Sequence, residues 1–318
     1  LFNKIQKREP VFFDGGMGTM IQKIPGLSYS IPEDLNFYNP EAIKEIHKKY
    51  ILAGSNICTT NTFGANPIKL ENASHSAQEF IEKGITLVKE AIAECKKQNK
   101  NIICFTAWDS GQIGKLLEPN GPLTFDEAYN SYKAAAIAAE KSGADLAIIE
   151  TMSDLYEVKA AVLAIKENTN LPVITTMTFQ PNFRTLTGAD VLTCITYLES
   201  LHVDVLGFNC GGSLEEDIEL ANQFCKYSHI PILSQPNAGL PEVINGKDVF
   251  KVTPEEFTNA QKKILESGVS IFGGCCGTTP DHIKTMTEKL SEKKRKENKG
   301  KLKSLVCSYN KTVQARGT

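Results

Sequence analysis

Nine cysteines are spread through 318 residues, and three of them stand where a thiol could do chemistry. Cys210, Cys275 and Cys276 each lie beside glycine, in Asn209-Cys210-Gly211 and Gly274-Cys275-Cys276-Gly277. Adjacent side chains point opposite ways along a regular strand, but flanking glycines let the backbone turn and bring both sulfurs to one point. Zinc is the natural ion for clustered thiolates. Three protein ligands leave a fourth tetrahedral position open, the mark of a catalytic rather than a structural site. A vicinal disulfide, a redox pair or two buried thiols are the rival readings. The other six cysteines (Cys58, Cys95, Cys104, Cys194, Cys225 and Cys307) stand alone in apolar or helical surroundings and read as small buried hydrophobes. An odd number, without the density of a small stapled domain, argues against a disulfide framework.

Three anionic sulfurs more than neutralise a zinc ion, so such a site activates water poorly. It can bind a substrate thiol, lower its pKa and keep it nucleophilic at neutral pH. The chemistry to expect is alkylation of a small thiol in the open position.

The cysteines must be held by a scaffold, and the chain supplies one. Eight short apolar or β-branched runs recur: Val11–Asp14, Asn56–Asn61, Asn101–Thr106, Asp145–Glu150, Pro172–Met177, Val203–Asn209, Pro231–Gln235 and Val269–Gly274. Near-continuous apolar runs of this length predict strands covered on both faces. Helical spacing fills the gaps at Pro40–Ala53, Asp154–Asn168, Asp190–Leu201, Ser213–Tyr227 and Thr253–Ser267, and from Thr124 to Gly143, where Thr124 and Glu127 form a capping box. Alternating strands and helices, with no obvious linker before residue 290, predict a (β/α)8 TIM barrel. An open doubly wound sheet fits less well, because Asp14-Gly15-Gly16-Met17-Gly18-Thr19 lacks the GxGxxG spacing.

In such a barrel the active site lies at the C-terminal strand ends. Those ends carry Asp14 with its glycine loop, Thr60-Asn61-Thr62, Asp109, Glu150-Thr151, Asn209-Cys210, Asn237 and Cys275-Cys276. Taken alone, Asp14 is equally a turn-capping carboxylate and Glu150 an inward ion pair. Asn61 and Asp109 stay open between loop capping and substrate contact.

With 35 basic and 37 acidic residues the net charge is −2, which gives no electrostatic case for nucleic acid. No apolar run approaches a membrane span and the first residues lack a signal-peptide core, so a cytoplasmic location is expected. Residues 291–303 hold seven basic and two acidic side chains and read as a solvated linker, with a weakly strand-like Ser304–Tyr309 that could open another module.

Gly207-Phe208-Asn209-Cys210 together with Gly273-Gly274-Cys275-Cys276-Gly277-Thr278-Thr279-Pro280 resembles the zinc signature of the homocysteine S-methyltransferase family. Asp14–Thr19, Asn61-Thr62-Phe63, Glu150-Thr151 and Pro236–Gly239 match other parts of its pattern in the same order, and the resemblance covers roughly residues 8–290. Arg184–Gly188 and Asn237–Pro241 look most like the N-terminal homocysteine module of cobalamin-dependent methionine synthases.

The resemblance implies that Cys210, Cys275 and Cys276 ligate zinc, with Asn237 as fourth ligand until the homocysteine thiolate displaces it. It implies that Asp14 and Glu150 bind the substrate ammonium, and that the backbone amides of Met17, Gly18 and Thr19 bind its carboxylate. It further implies a barrel over residues 1–290, with 291–318 as a linker towards another module. No Asp-x-His-x-x-Gly cobalamin-ligating motif is present, so methylcobalamin as methyl donor would come from another module. S-methylmethionine or a betaine-like donor is the in-family alternative. A zinc or redox sensor is the alternative of another class. None of the five histidines lies in the strand-end clusters, and His282 reads as the start of the last helix.

Overall fold

The structure is a computed structural model that describes residues 2–70, 73–244, 247–296, 305–308 and 310–314. Strands β1 (Val11–Phe12), β2 (Ile57–Thr59), β3 (Phe105–Ser110), β4 (Leu146–Met152), β5 (Val173–Met177), β6 (Val205–Asn209) and β7 (Ile232–Gln235) follow in chain order. An antiparallel hairpin, β8 (Glu242–Ile244) with β9 (Lys247–Val249), precedes β10 (Ile271–Phe272). Eight of these form one parallel sheet in the order β1-β10-β7-β6-β5-β4-β3-β2. Phe13 bridges in parallel to Ile57 and the Asn56 N–H donates to the Phe12 carbonyl at 2.6 Å, which joins the first strand to the second. The sheet thus comes round into the expected (β/α)8 barrel.

Strand alternation sorts the side chains into two cores. Val11, Phe13, Ile57, Ala107, Leu146, Ile148, Ile174, Val205, Leu233 and Ile271 fill the interior. The intervening residues, such as Phe12, Cys58, Trp108, Ala147 and Ile149, pack outward against the helices. Ile5 of the N-terminal helix Phe2–Gln6 joins the interior layer, and Lys4 bonds Asn56 at the start of β2. Two residues further along β2 to β5, and four further along β6 past Gly207, the same parity brings Thr59, Asp109, Glu150, Thr176 and Asn209 inward, above the apolar layer.

The predicted helices form at Pro40–Leu52, Phe125–Lys141, Leu155–Asn168, Val191–Ser200, Leu214–Tyr227 and Pro254–Ser267. Capping boxes Thr124/Glu127, Ser213/Glu216 and Thr253/Glu256 set three of their starts. Each such N-cap contributes about 1 kcal/mol and fixes where the strand-end loop must stop.

Two expectations are corrected. The 22-residue helix Ala77–Gln98, capped by Ser76 and Glu79, was not among the helical stretches read from the sequence. The third strand also begins at Phe105 and runs to Ser110, later than the Asn101–Thr106 run. Ile103 is 64% exposed, and Phe105 is the first residue in register with β2, opposite Ile57. Polar Thr106 and Asp109 hid the strand from an apolar-run reading.

Beyond residue 290 the described chain stays against the barrel. The Arg295 amide donates to the Arg8 carbonyl at 3.2 Å. β11 (Leu305–Cys307) and β12 (Thr312–Gln314) form a hairpin on the helix Val191–Ser200, where Thr312 Oγ1 meets Thr193 Oγ1 at 3.1 Å. The stretch 297–304 and Tyr309 lie outside the described residues. Among the described residues no helix is long and apolar enough to cross a membrane.

Candidate metal centre

The sulfurs of Cys210, Cys275 and Cys276 lie within 4.8 Å of one another, the one such cluster of His, Cys, Asp and Glu ligand atoms among the described residues. Cys210 Sγ and Cys276 Sγ are 3.8 Å apart. Zinc–sulfur bonds of about 2.3 Å at tetrahedral angles separate sulfurs by about 3.8 Å, so the donor set fits a thiolate-bound zinc ion. Cys276 is the exposed member, and Cys210 and Cys275 are half-buried.

The backbone delivers the sulfurs as the glycines promised, with one unforeseen device. Cys210 sits directly after β6 at φ 51°, a left-handed conformation that a non-glycine residue adopts only when its surroundings enforce it. Its amide donates to the Gln235 carbonyl at 3.3 Å, while the Cys275 amide donates to the Pro236 carbonyl at 2.8 Å. Both cysteine loops therefore hang from the end of β7. Asn237 links them again: its Oδ1 accepts the Cys276 N–H at 3.0 Å and its Nδ2 donates to the Gly211 carbonyl at 3.5 Å.

Asp14 and its glycine loop lean on the other side. The Gly16 amide donates to Thr278 Oγ1 at 3.0 Å and the Gly277 amide to Thr19 Oγ1 at 2.8 Å. A methyl group on Gly16 would stand 2.7 Å from the Cys275 carbonyl oxygen, so this approach requires glycine. Met17, Gly18 and Thr19 are the first three residues of the helix Met17–Gln22, whose N–H groups have no partner within the helix.

The carboxyls facing this centre have unusual protonation. Burial, opposed by hydrogen bonds from Thr59 N–H and Oγ1, raises Asp14 to about 8. Burial, then the charge of Cys276, raises Glu150 to about 7. Burial and the neighbouring Glu150 and Asp14 push Asp109 far above the carboxylate range, so it keeps its proton and hydrogen-bonds Glu150. Hydrogen bonds from Cys210 and Cys275 hold Cys276 well below an ordinary thiol. An anionic sulfur thus faces two buried acids, Asp14 and Asp109, and the half-buried Glu150.

The remaining sequence candidates fall outside the centre. Asn61 ties the loop after β1, donating to the Pro32 carbonyl at 2.8 Å and to Asn36 Oδ1 at 3.1 Å, which is loop capping. His282 is the third residue of the helix Pro280–Leu290, with Nδ1 on Thr279 and Nε2 on the Val252 carbonyl. Cys58 and Cys104 are not solitary: their sulfurs meet at 3.7 Å, outside the barrel and buried as free thiols. Asn209 was passed over as a site residue, although strand parity from Val205 placed it inward.

A family model described as homocysteine S-methyltransferase matches residues 11–290. The methionine synthase of Mycobacterium tuberculosis H37Rv is 30% identical over 311 residues, covering 93% of this chain and 26% of that protein. The methionine synthase of Mycobacterium leprae is 30% identical over 287 residues, covering 85% of this chain and 23% of that protein. The chain therefore spans about a quarter of the length of these relatives. The homocysteine methyltransferase MmuM from Escherichia coli, in its metallated form, shares the fold with a TM-score of 0.77 at 19% identity, covering 90% of this chain and 98% of that one.

Proposed function

This chain belongs to the homocysteine S-methyltransferase family, and on that premise we propose that it methylates the thiol of homocysteine to give methionine at a zinc ion held by Cys210, Cys275 and Cys276. The observation that carries the reading is the meeting of three sulfurs from two strand ends, beside buried carboxyls and unpaired helix amides. When bound there, zinc supplies a fourth position for the substrate sulfur and lowers the pKa of that thiol.

The chain's own residues do the rest. Asp14 and Glu150 take the substrate ammonium, whose positive charge offsets the burial penalty on the ionised carboxylates that raises their pKa values. The amides of Met17, Gly18 and Thr19 take its carboxylate, as helix N-terminal N–H groups do for anions. Asn237 braces the two cysteine loops, and its side-chain oxygen, which accepts the Cys276 amide, would be the fourth ligand of the ion in the absence of substrate. The barrel comprises residues 1–290, and 291–318 lead from it towards another module. A cytoplasmic setting suits nine unpaired thiols.

Methylcobalamin carried by another module is the proposed donor, supported by similarity to two methionine synthases of which this chain spans about a quarter. The test is a methyl-transfer assay with homocysteine against free methylcobalamin, S-methylmethionine and betaine in parallel. Methionine should form with methylcobalamin. Turnover only with S-methylmethionine or betaine would replace the donor, and no turnover with any donor would favour a sensing role for the cysteines.

A further inference from the structure

The side chain of Asn209 joins the substrate-binding half of the centre to its sulfur half. It lies at the last position of β6, is 1% exposed, and points into the barrel mouth immediately before Cys210. Its Oδ1 accepts the Thr151 backbone N–H at 3.0 Å and the Thr176 hydroxyl at 2.8 Å. Its Nδ2 donates to Thr151 Oγ1 at 2.8 Å and reaches Glu150 Oε2 at 3.5 Å and Cys275 Sγ at 3.8 Å.

The orientation of this amide is settled by its partners. A backbone N–H can only donate, so the atom facing the Thr151 amide is the oxygen. The NH2 group is thereby left to face Glu150 and the sulfur. The same contacts hold Thr151 at φ 58°, a left-handed conformation for a β-branched residue, with its N–H and its hydroxyl both on one side chain. Asn209 is over-determined on its oxygen side; on its nitrogen side one N–H goes to Thr151 Oγ1, which leaves the other to be shared between Glu150 Oε2 and Cys275 Sγ.

We propose that Asn209 is a positioning residue for the methyl-transfer site: it donates an N–H···S hydrogen bond to the Cys275 thiolate while holding Glu150 and Thr151 in register with it. The inference rests on the reading of the three cysteines as metal ligands. A hydrogen bond to a ligating thiolate withdraws charge from the sulfur and fixes its direction, and partners of this kind tune metal sites strongly. Here the same NH2 group also touches the carboxylate assigned to the substrate ammonium. Ammonium position and sulfur position are thereby set by one rigid amide, which would fix the span between the two ends of homocysteine.

Two measurements test this. In wild-type protein loaded with 113Cd and labelled with 15N, the Asn209 side-chain amide protons should show scalar coupling to the metal across the hydrogen bond. Asn209→Asp keeps the size and removes the donor. It should weaken metal binding in a chelator competition by about tenfold or more, shift the 113Cd resonance, and raise the KM for homocysteine. Thr176→Val removes only a hydroxyl on the oxygen side. It should leave the 113Cd shift near that of the wild type. Metal bound normally without coupling, or Asn209→Asp and Thr176→Val behaving alike in shift and affinity, would overturn the role of Asn209 alone. A wild-type protein that binds no metal through these cysteines would overturn the proposed function and this inference with it.

Discussion

Replacing Cys210 by alanine is expected to release the metal and remove methyl transfer together. Structural zinc sites bind with roughly 10–16 kcal/mol shared among four ligands, so one thiolate accounts for on the order of 3 kcal/mol, or about a hundredfold in affinity. The remaining pair, Cys275 and Cys276, sits on one loop and offers no third sulfur, because the other cysteines of the chain lie elsewhere. Loss of the ion and of the substrate's fourth position should therefore lower turnover by about a thousandfold or more. Metal analysis after dialysis and a turnover assay on the same preparation read both effects. Cys194→Ala, on the outer helix Val191–Ser200, is the comparison and should keep a full metal complement. Retained metal and turnover in Cys210→Ala would refute the ligand assignment.

The second large effect concerns the acids. Asp14→Asn and Glu150→Gln should each raise the KM for homocysteine by roughly 10–100-fold, the worth of a hydrogen bond to a charged group, with a smaller change in kcat. Folding should survive, because burial already disfavours the charged form of both carboxyls and an amide matches the neutral one.

The pH dependence follows with a definite sign. Burial pushes Glu150 up to about 7 and Asp14 up to about 8, and under the proposed function the ammonium binds their ionised forms. Below pH 7 the substrate must expel a proton that it need not expel at pH 8. Affinity should therefore rise between pH 6 and 8, by at least about tenfold for one such group. Release of the thiol proton would push the same way. The cleaner probe is 2-aminobutyrate, which carries the ammonium and carboxylate without the sulfur. Affinity for it that stays flat from pH 6 to 8, or that rises as steeply in Glu150→Gln and in Asp14→Asn as in the wild type, would contradict the assignment.

Much of this centre was legible because glycine and cysteine carry positional meaning. Gly16 is needed where it closes on the Cys275 carbonyl, and the cysteines flanked by glycine are the ones that form the three-sulfur cluster. Strand parity was readable as well, and it brings Asp109, Glu150 and Asn209 to one layer. The left-handed turns at Thr151 and Cys210 were not legible, since neither residue type announces a positive φ and both are held by contacts distant in sequence. Asn209 escaped for the same reason: its partners are 33 to 66 residues away. The helix Ala77–Gln98 was missed because its charged outer face dilutes the apolar stripe formed by Phe80, Ile81, Leu87, Val88 and Ile92.

The central claim is that three protein sulfurs leave one place for the sulfur of the substrate. Zinc K-edge X-ray absorption on the reconstituted protein tests it most directly. Without homocysteine the zinc should have three sulfur neighbours and one lighter nitrogen or oxygen atom; with saturating homocysteine it should have four sulfurs. A spectrum unchanged by saturating homocysteine would contradict it.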